Sequence, residues 1–407
     1  MTQLSNYVPI VGQENIDQLF RLAKRLKGKR IVHVNSTQTG GGVAEILKSL
    51  VPLMNELGIQ TRWEIINGEK GFFEVTKAFH NALQGNKVNL TEEMFKTYLE
   101  TNKKNARDLN LDGDVVIIHD PQPVSLIDYK GRNKAKWVWR CHIDASKPER
   151  KVWKFLRDYV VKYNASIFSL SKFAQNLPHP QYLIFPSIDP LSEKNMPLSQ
   201  VEVRNTLKKY GIRKDKPTLV QISRFDRFKD PFGVIDAYQL VKRDTDCQLI
   251  LAGGGASDDP EGEMVLKEVE EKVKDDPDIK ILVLPPTAHK EINALQRCAD
   301  IVLQKSLKEG FGLAVTEGMW KEKPVIGGAV GGIVEQIYNY QTGFLVHSAE
   351  GAAYRIRYLL YHKNMAKKLA KDAKEYVRRR FLITRHLRDY LSLLIALDYP
   401  GENYIFV

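Results

Sequence analysis

The chain has 407 residues, 43% of them hydrophobic and 27% charged, with a formal charge of +12 at neutral pH; it is too long for one ordinary core and points to two globular domains. No apolar run approaches the ~18 residues a membrane helix requires, and the start MTQLSNYVPI lacks a basic stretch followed by an apolar core, so no membrane partner and a cytoplasmic location are expected. The positive charge favours acidic partners, from phosphorylated metabolites to nucleic acid, but aromatic side chains are not interleaved with the basic runs, which counts against nucleic acid.

In chain order, R-I-V-H-V-N at 30–35 reads as a buried strand, 36–42 as a loop ending in Gly40, Gly41 and Gly42, and 43–57 as a helix stopping at Gly58. Strand, glycine loop and helix are the opening unit of a doubly wound fold. The triple glycine lacks the spacing of a dinucleotide fingerprint. It is either a tight turn alone or a loop whose amides approach a phosphate or sugar hydroxyl. Strand-like runs recur at 61–66, 114–119, 136–140, 166–170 and 182–185 with helices between them, the pattern of a parallel sheet covered on both faces. A helix opens at 71–77 and runs through Leu83; its Glu74 is either a holder of a sugar hydroxyl or a solvated acid favoured by the helix dipole. His119 and Asp120 follow the third strand, and His142 and Asp144 follow the fourth. Ligands of open parallel sheets bind at the carboxyl ends of strands, so these residues are expected to line one crevice.

The proline-bearing polar stretch 186–197 reads as a linker, and a second strand set follows at 217–222, 248–252, 280–284, 301–304, 324–326 and 343–346. After its first strand, S-R-F-D-R-F-K-D-P places Arg224 and Lys229 in a loop, with Asp230 and Pro231 as N-cap and first residue of the next helix. A forked guanidinium beside a compact ammonium suits a diphosphate; solvated loop cations are the alternative. Gly253, Gly254 and Gly255 follow the next strand, and the acidic insert 257–263 reads as surface loop. After 301–304, the stretch E-G-F-G-L-A-V-T-E carries Glu309, Gly310, Phe311, Gly312 and Leu313, and then Glu317 on a helical run. A loop that opens a helix presents free N–H groups to anionic or hydroxyl-rich ligands. The basic tract 363–388 has apolar residues at helical intervals and reads as a helix with a solvated charged face. Cys141, Cys247 and Cys298 lack metal-ligand spacing and read as buried small hydrophobes.

With four residues between Arg224 and Lys229 and seven between Glu309 and Glu317, the chain resembles the retaining GT-B glycosyltransferases, whose signature is R-x4-K followed by E-x7-E. Within that group it looks like the trehalose glycosyltransferring synthases, through V-N-S-T, G-G-G-V-A-E-I-L, F-F-E-V-T-K, H-D-P-Q-P, R-C-H-I-D, F-P-S-I-D-P-L and K-D-P-F-G-V-I-D-A-Y. The resemblance implies an α/β GT-B fold of two Rossmann-like doubly wound domains facing a central cleft. Residues 1–188 would bind the acceptor, with a C-terminal helix at about 378–407 packing back on them, and 189–377 would bind the nucleotide sugar. Arg224 and Lys229 would neutralise the diphosphate, Glu309 would hold donor-sugar hydroxyls and Glu317 the ribose. His142 would sit by the reacting sugar, completing a catalytic set with Arg224, Lys229 and Glu309. Gly41, Gly42, Gly310, Phe311, Gly312 and Leu313 would surround the donor; Glu74, His119, Asp120 and Asp144 would face the acceptor.

Two positions depart from that group's habit: Gly318 stands where alanine is usual, and Glu322 where a turn glycine is usual. The expected activity is glucosyl transfer from ADP- or UDP-glucose to free glucose with retention, by front-face attack. A retaining trehalose phosphorylase is the near rival and a noncatalytic nucleic-acid binder the distant one. No metal-ligand cluster is visible, so no cofactor is expected to be required, although Mg²⁺ can accompany a nucleotide. The sequence does not set the oligomeric state, and a homodimer is compatible with it.

Overall fold

The structure is a computed structural model that describes residues 3–131, 134–254, 260–274 and 276–399. It divides into unit 1, Met1–Ser187 with Ile383–Val407, and unit 2, Ile188–Leu382. Gly255, the first part of the acidic insert at 257–259 and the tail at 400–407 lie outside the described residues.

Unit 1 holds β1 (Arg30–Asn35), β2 (Gln60–Ile65), β3 (Val115–His119), β4 (Lys136–Cys141), β5 (Ala165–Phe168) and β6 (Gln181–Leu183). They pair in parallel in the order β2-β1-β3-β4-β5-β6. β3 and β5 are buried at every residue, and β1 and β4 at all but their first, as expected of strands covered on both faces. The edge strands β2 and β6 are more exposed. The unit's core centres on Trp137, Trp139, Phe79, Tyr98 and Phe168.

Unit 2 holds β7 (Thr218–Ile222), β8 (Gln248–Gly253), β9 (Ile279–Val283), β10 (Ile301–Gln304), β11 (Val325–Gly328) and β12 (Phe344–Val346), all parallel, in the order β12-β11-β10-β7-β8-β9. Each of the twelve strand-like runs in the sequence thus forms a strand. Both sheets are doubly wound: the winding direction reverses between β1 and β3 in unit 1 and between β7 and β10 in unit 2. Loops leaving two neighbouring strands in opposite directions open a crevice at that point, and ligands of such sheets bind there.

Two expectations need correction. The stretch 186–197 is not a free linker but a strap tied into unit 2. Asn293 Nδ2 donates to Glu193 O and Met196 O at 2.9 Å each, Arg297 Nη2 donates to Met196 O at 2.9 Å, and Lys321 Nζ donates to Asn195 Oδ1 at 2.9 Å. These partners lie about a hundred residues along the chain, beyond the reach of local composition. The end of the acidic insert is helical, in Pro260–Lys272: proline in the first helical position has its φ pre-set for the turn. No helix among the described residues is long and apolar enough to cross a membrane.

Candidate active site

In unit 2 the winding reversal brings the loop after β7 against the loop after β10. Asp226 opens a short 3-10 turn at Arg227–Lys229 and accepts from Lys229 N through Oδ1 at 3.1 Å. Asp230 then adopts a left-handed φ of 49° and caps the helix Pro231–Lys242, accepting from Gly233 N at 3.0 Å. Its other oxygen takes a close ion pair from buried Lys305. Leu307 N donates to Phe228 O at 2.8 Å, so the two loops share backbone as well as side-chain bonds.

This scaffold sets Lys229 Nζ 2.6 Å from Glu309 Oε2, both largely buried, and Ser306 Oγ donates to the same carboxylate oxygen at 3.2 Å. Arg224 is more open, with its side chain 57% exposed and Nη2 3.3 Å from Asp226 Oδ2. The glycines are steric requirements here. A Cβ on Gly331, whose φ is +51°, would lie 1.6 Å from Glu309 O, and one on Gly253 would lie 1.7 Å from Ser223 O. Gly312 takes a left-handed conformation and opens the helix Leu313–Trp320, with Gly310 and Leu313 half-buried on either side. Phe311 is buried, its ring 5.5 Å from that of Phe381, so this residue offers backbone rather than side chain to a ligand.

Glu317 lies 1% exposed on the helix Leu313–Trp320, with Oε1 2.8 Å from Lys194 Nζ and Oε2 accepting from Gln296 Nε2 at 3.0 Å. Burial pushes its carboxyl up, but the Lys194 and Lys321 ammonium groups and the Gln296 amide outweigh that and hold it below the usual carboxylate range. Lys194, Gln296 and Lys305 were not legible as site residues. Neither was Gln336, fully buried, whose amide donates to Phe311 O and fixes the glycine loop.

In unit 1 the corresponding crevice lies beyond β1 and β3. A cavity there is lined by Asn35, Ser36, Thr37, Gly40, Gly41, Gly42, Val43, His119 and Asp120. Gly41 caps the helix Gly42–Glu56 at φ 84°, ψ 156°, a region essentially closed to other residues. Asp120 has a left-handed φ of 63° and accepts from His142 N through Oδ1 at 2.8 Å, while its carbonyl accepts from Trp139 Nε1 at 3.0 Å. Burial raises the Asp120 carboxyl to about 7, against the lowering effect of the His142 amide and of Arg140.

His142 Nε2 lies 2.9 Å from His119 Nδ1, and His119 Nε2 lies 3.0 Å from His33 Nδ1. Burial above all, with the Arg140 guanidinium adding to it, holds His119 and His142 well below the ordinary histidine range. Arg140 is itself fully buried, donating to Ile184 O at 2.7 Å. From the sequence His33 reads only as a residue of the first strand; its one signal there is a titratable ring inside an otherwise apolar stretch. Asp144 is half-buried and its Oδ1 accepts from Ser146 N at 3.0 Å, the bond of a local turn. Glu74 is exposed on the helix Lys70–Leu83, with Lys70 Nζ 4.0 Å away, and no hydrogen bond joins it to His119, Asp120 or Asp144 among the described residues.

These features can be set beside known proteins. Residues 33–175 match the family model described as "Trehalose synthase, N-terminal domain", and residues 202–376 match "Glycosyl transferases group 1". The chain is 50% identical over 398 residues to a trehalose synthase of Thermococcus litoralis, covering 96% of each. It is 30% identical over 404 residues to a trehalose phosphorylase of Pleurotus pulmonarius, covering 86% of this chain and 54% of that one. Among solved structures, the sucrose-phosphate synthase of Thermosynechococcus elongatus superposes with a TM-score of 0.72 at 15% identity, covering 91% of this chain and 99% of that one, which is a likeness of fold. The two doubly wound sheets are therefore those of a GT-B glycosyltransferase, an enzyme of trehalose-related glycosyl transfer. With half its residues shared across nearly the whole length of a synthase, the chain belongs to the trehalose synthase family.

Proposed function

We propose that the protein transfers glucose from a nucleoside-diphosphate glucose, ADP- or UDP-glucose, to the C1 hydroxyl of free glucose, giving α,α-trehalose with the donor configuration retained. The observation that carries this reading is the Lys229–Glu309 pair beside Arg224 at the β7/β10 reversal. A diphosphate competes for the ammonium and, once bound, frees Glu309 for sugar hydroxyls. The open guanidinium of Arg224 supplies a bidentate clamp. In this reading the amides of Gly310 to Leu313 border the donor. Glu317, with Lys194 and Gln296 holding its carboxylate, faces the ribose. The unit 1 crevice with Asp120 and His142 receives the acceptor.

The chemistry is a front-face exchange. The acceptor C1 oxygen bonds to the donor anomeric carbon, the bond from that carbon to the β-phosphate oxygen breaks, and the departing phosphate oxygen takes the acceptor proton. Neither carboxylate serves as nucleophile: Glu309, once the diphosphate has taken Lys229, is engaged by Ser306 and the donor-sugar hydroxyls, and Glu317 by Lys194 and Gln296. Developing positive charge on the sugar ring is stabilised by fixed dipoles. Arg224 and Lys229 supply the neutralising charge, so no cofactor is assigned, and Mg²⁺ enters only as a companion of the nucleotide.

A panel of ADP-, UDP- and GDP-glucose with free glucose, products identified by NMR, tests the reading. Nucleoside diphosphate and trehalose in equal amounts are expected. The similarity to a trehalose phosphorylase gives a second reading, since the same cations suit inorganic phosphate. Phosphate-dependent trehalose cleavage without any nucleotide requirement would replace the first reading with the second.

A further inference from the structure

Three histidines of unit 1, one within β1, one ending β3 and one directly after β4, form a single hydrogen-bonded file: His33 Nδ1 to His119 Nε2 at 3.0 Å, and His119 Nδ1 to His142 Nε2 at 2.9 Å. A neutral imidazole carries one N–H, so each link needs a donor on one ring and a lone pair on the other. Two arrangements satisfy both links. In the first, every proton sits on Nδ1: His33 donates to His119, His119 donates to His142, and the remaining His142 nitrogen carries an N–H. In the second, every proton sits on Nε2, the donations run the other way, and His142 presents a lone pair.

The far end of the file decides between them. His33 is 0% exposed, and its Nε2 has no hydrogen-bond partner among the described residues. The second arrangement would strand an N–H there, whereas the first leaves only a lone pair. Buried donors without acceptors are rarer in native proteins than under-satisfied acceptors, so the first arrangement is favoured. The file also stays neutral: burial lowers His33 to about 3, and burial with the nearby Arg140 charge holds the other two down.

We propose that His33 and His119 are positioning residues that fix His142 as a neutral hydrogen-bond donor through its Nδ1–H, aimed at a sugar oxygen, and that His142 takes no proton during transfer. The tautomer follows from unit 1 alone; its use in transfer rests on the reading of His142 as the group beside the reacting sugar.

The test is imidazole nitrogen NMR on the full chain carrying isotope-labelled histidine, without substrate, for the wild type, His33→Asp and His33→Asn. Asparagine keeps an N–H near the place of His33 Nδ1; aspartate offers carboxylate oxygens there, which accept from His119 Nε2–H and so leave His119 Nδ1 to accept from His142. The wild type and His33→Asn are expected to show His142 protonated on Nδ1, and His33→Asp to move a substantial share to Nε2. In transfer assays, kcat of His33→Asp falls by roughly tenfold to a hundredfold, the size of loss known for outer partners that orient metal-bound histidines. Donor KM stays essentially unchanged, and His33→Asn recovers most of the rate. A wild-type His142 protonated on Nε2 overturns the proposal, as does a tautomer left unaltered in His33→Asp; should that variant not fold, the wild-type spectrum decides alone. Because the spectra need no substrate, absence of trehalose formation would sink the functional reading and leave the file as measured.

Discussion

Arg224 and Lys229 carry the same charge five positions apart in one loop, but their surroundings differ. Lys229 is largely buried and bonded to a still more buried carboxylate, whereas Arg224 is mostly in solvent. A charge-assisted bond is worth about 1.5–3 kcal/mol, and screening reduces the exposed one most. Lys229→Ala is therefore expected to weaken ADP or UDP binding about a hundredfold and Arg224→Ala about tenfold, with only the arginine contribution fading steeply as salt is added. Calorimetric titration of the nucleotide into each variant measures both effects. Unchanged affinity in both would remove the anchor of the donor site.

Asp120 gives a second prediction at this scale, with a definite sign. Its folded value of about 7 lies above the ordinary one, so the folded state binds more protons in between. Stability is accordingly lost as pH rises from about 4 through about 7, by at most about 4 kcal/mol from this group. Asp120→Asn keeps an oxygen for the His142 amide but has no charge to bury. Relative to the wild type it should gain stability across that window in urea unfolding. An advantage that does not change with pH would contradict the assignment.

At the scale of elements, the glycine-bearing turns after β10 and β11, which pack on each other, and the end of the helix Leu313–Trp320 are governed by backbone conformation. Gly331→Ala is expected to cost at least about 3 kcal/mol, because its Cβ would meet Glu309 O at 1.6 Å in a left-handed conformation, and to lower transfer by displacing Glu309. Glu322, where a turn glycine is usual, sits in a left-handed turn at φ 57°, its carboxylate 3.0 Å from exposed Lys374. That surface pair is worth little, so Glu322→Gly should raise stability by about 0.5–1 kcal/mol in thermal or urea unfolding. Gly318→Ala, which gains about 1 kcal/mol of helix propensity, should be close to neutral, because the added Cβ meets Val302 atoms at 3.1–3.3 Å. The strands were legible because burial on both faces makes them continuous apolar runs. The motif carboxylates were legible because their spacing is local. The strap partners Asn293 and Arg297, the Lys194 contact to Glu317 and the file through His33 were not, since each joins residues far apart in sequence and depends on which strands become neighbours.

For the whole molecule, the consequence of that long-range order is that unit 1 is assembled from both ends of the chain, whereas unit 2 is continuous. The helix Ile383–Ala396 belongs to unit 1 and buries Ile383, Leu387, Tyr390, Leu391, Leu393, Leu394 and Ile395. Its Arg385 also donates from Nη1 to Phe185 O and from Nη2 to Pro186 O at 3.0 Å each. At about 1.5–3 kcal/mol for each fully buried apolar side chain, the helix contributes on the order of 10–20 kcal/mol of burial, as much as the ~5–15 kcal/mol net stability of a typical domain. A chain ending at Leu382 is therefore expected to have unit 1 unfolded, with rapid proteolysis of its first 187 residues. A fragment of residues 188–382 keeps its own sheet and core and should melt cooperatively. Circular dichroism melting and limited proteolysis of the two truncations against the full chain measure this. A truncated chain that protects both units equally would show that the terminal helix is dispensable, and that the core of unit 1 closes without it.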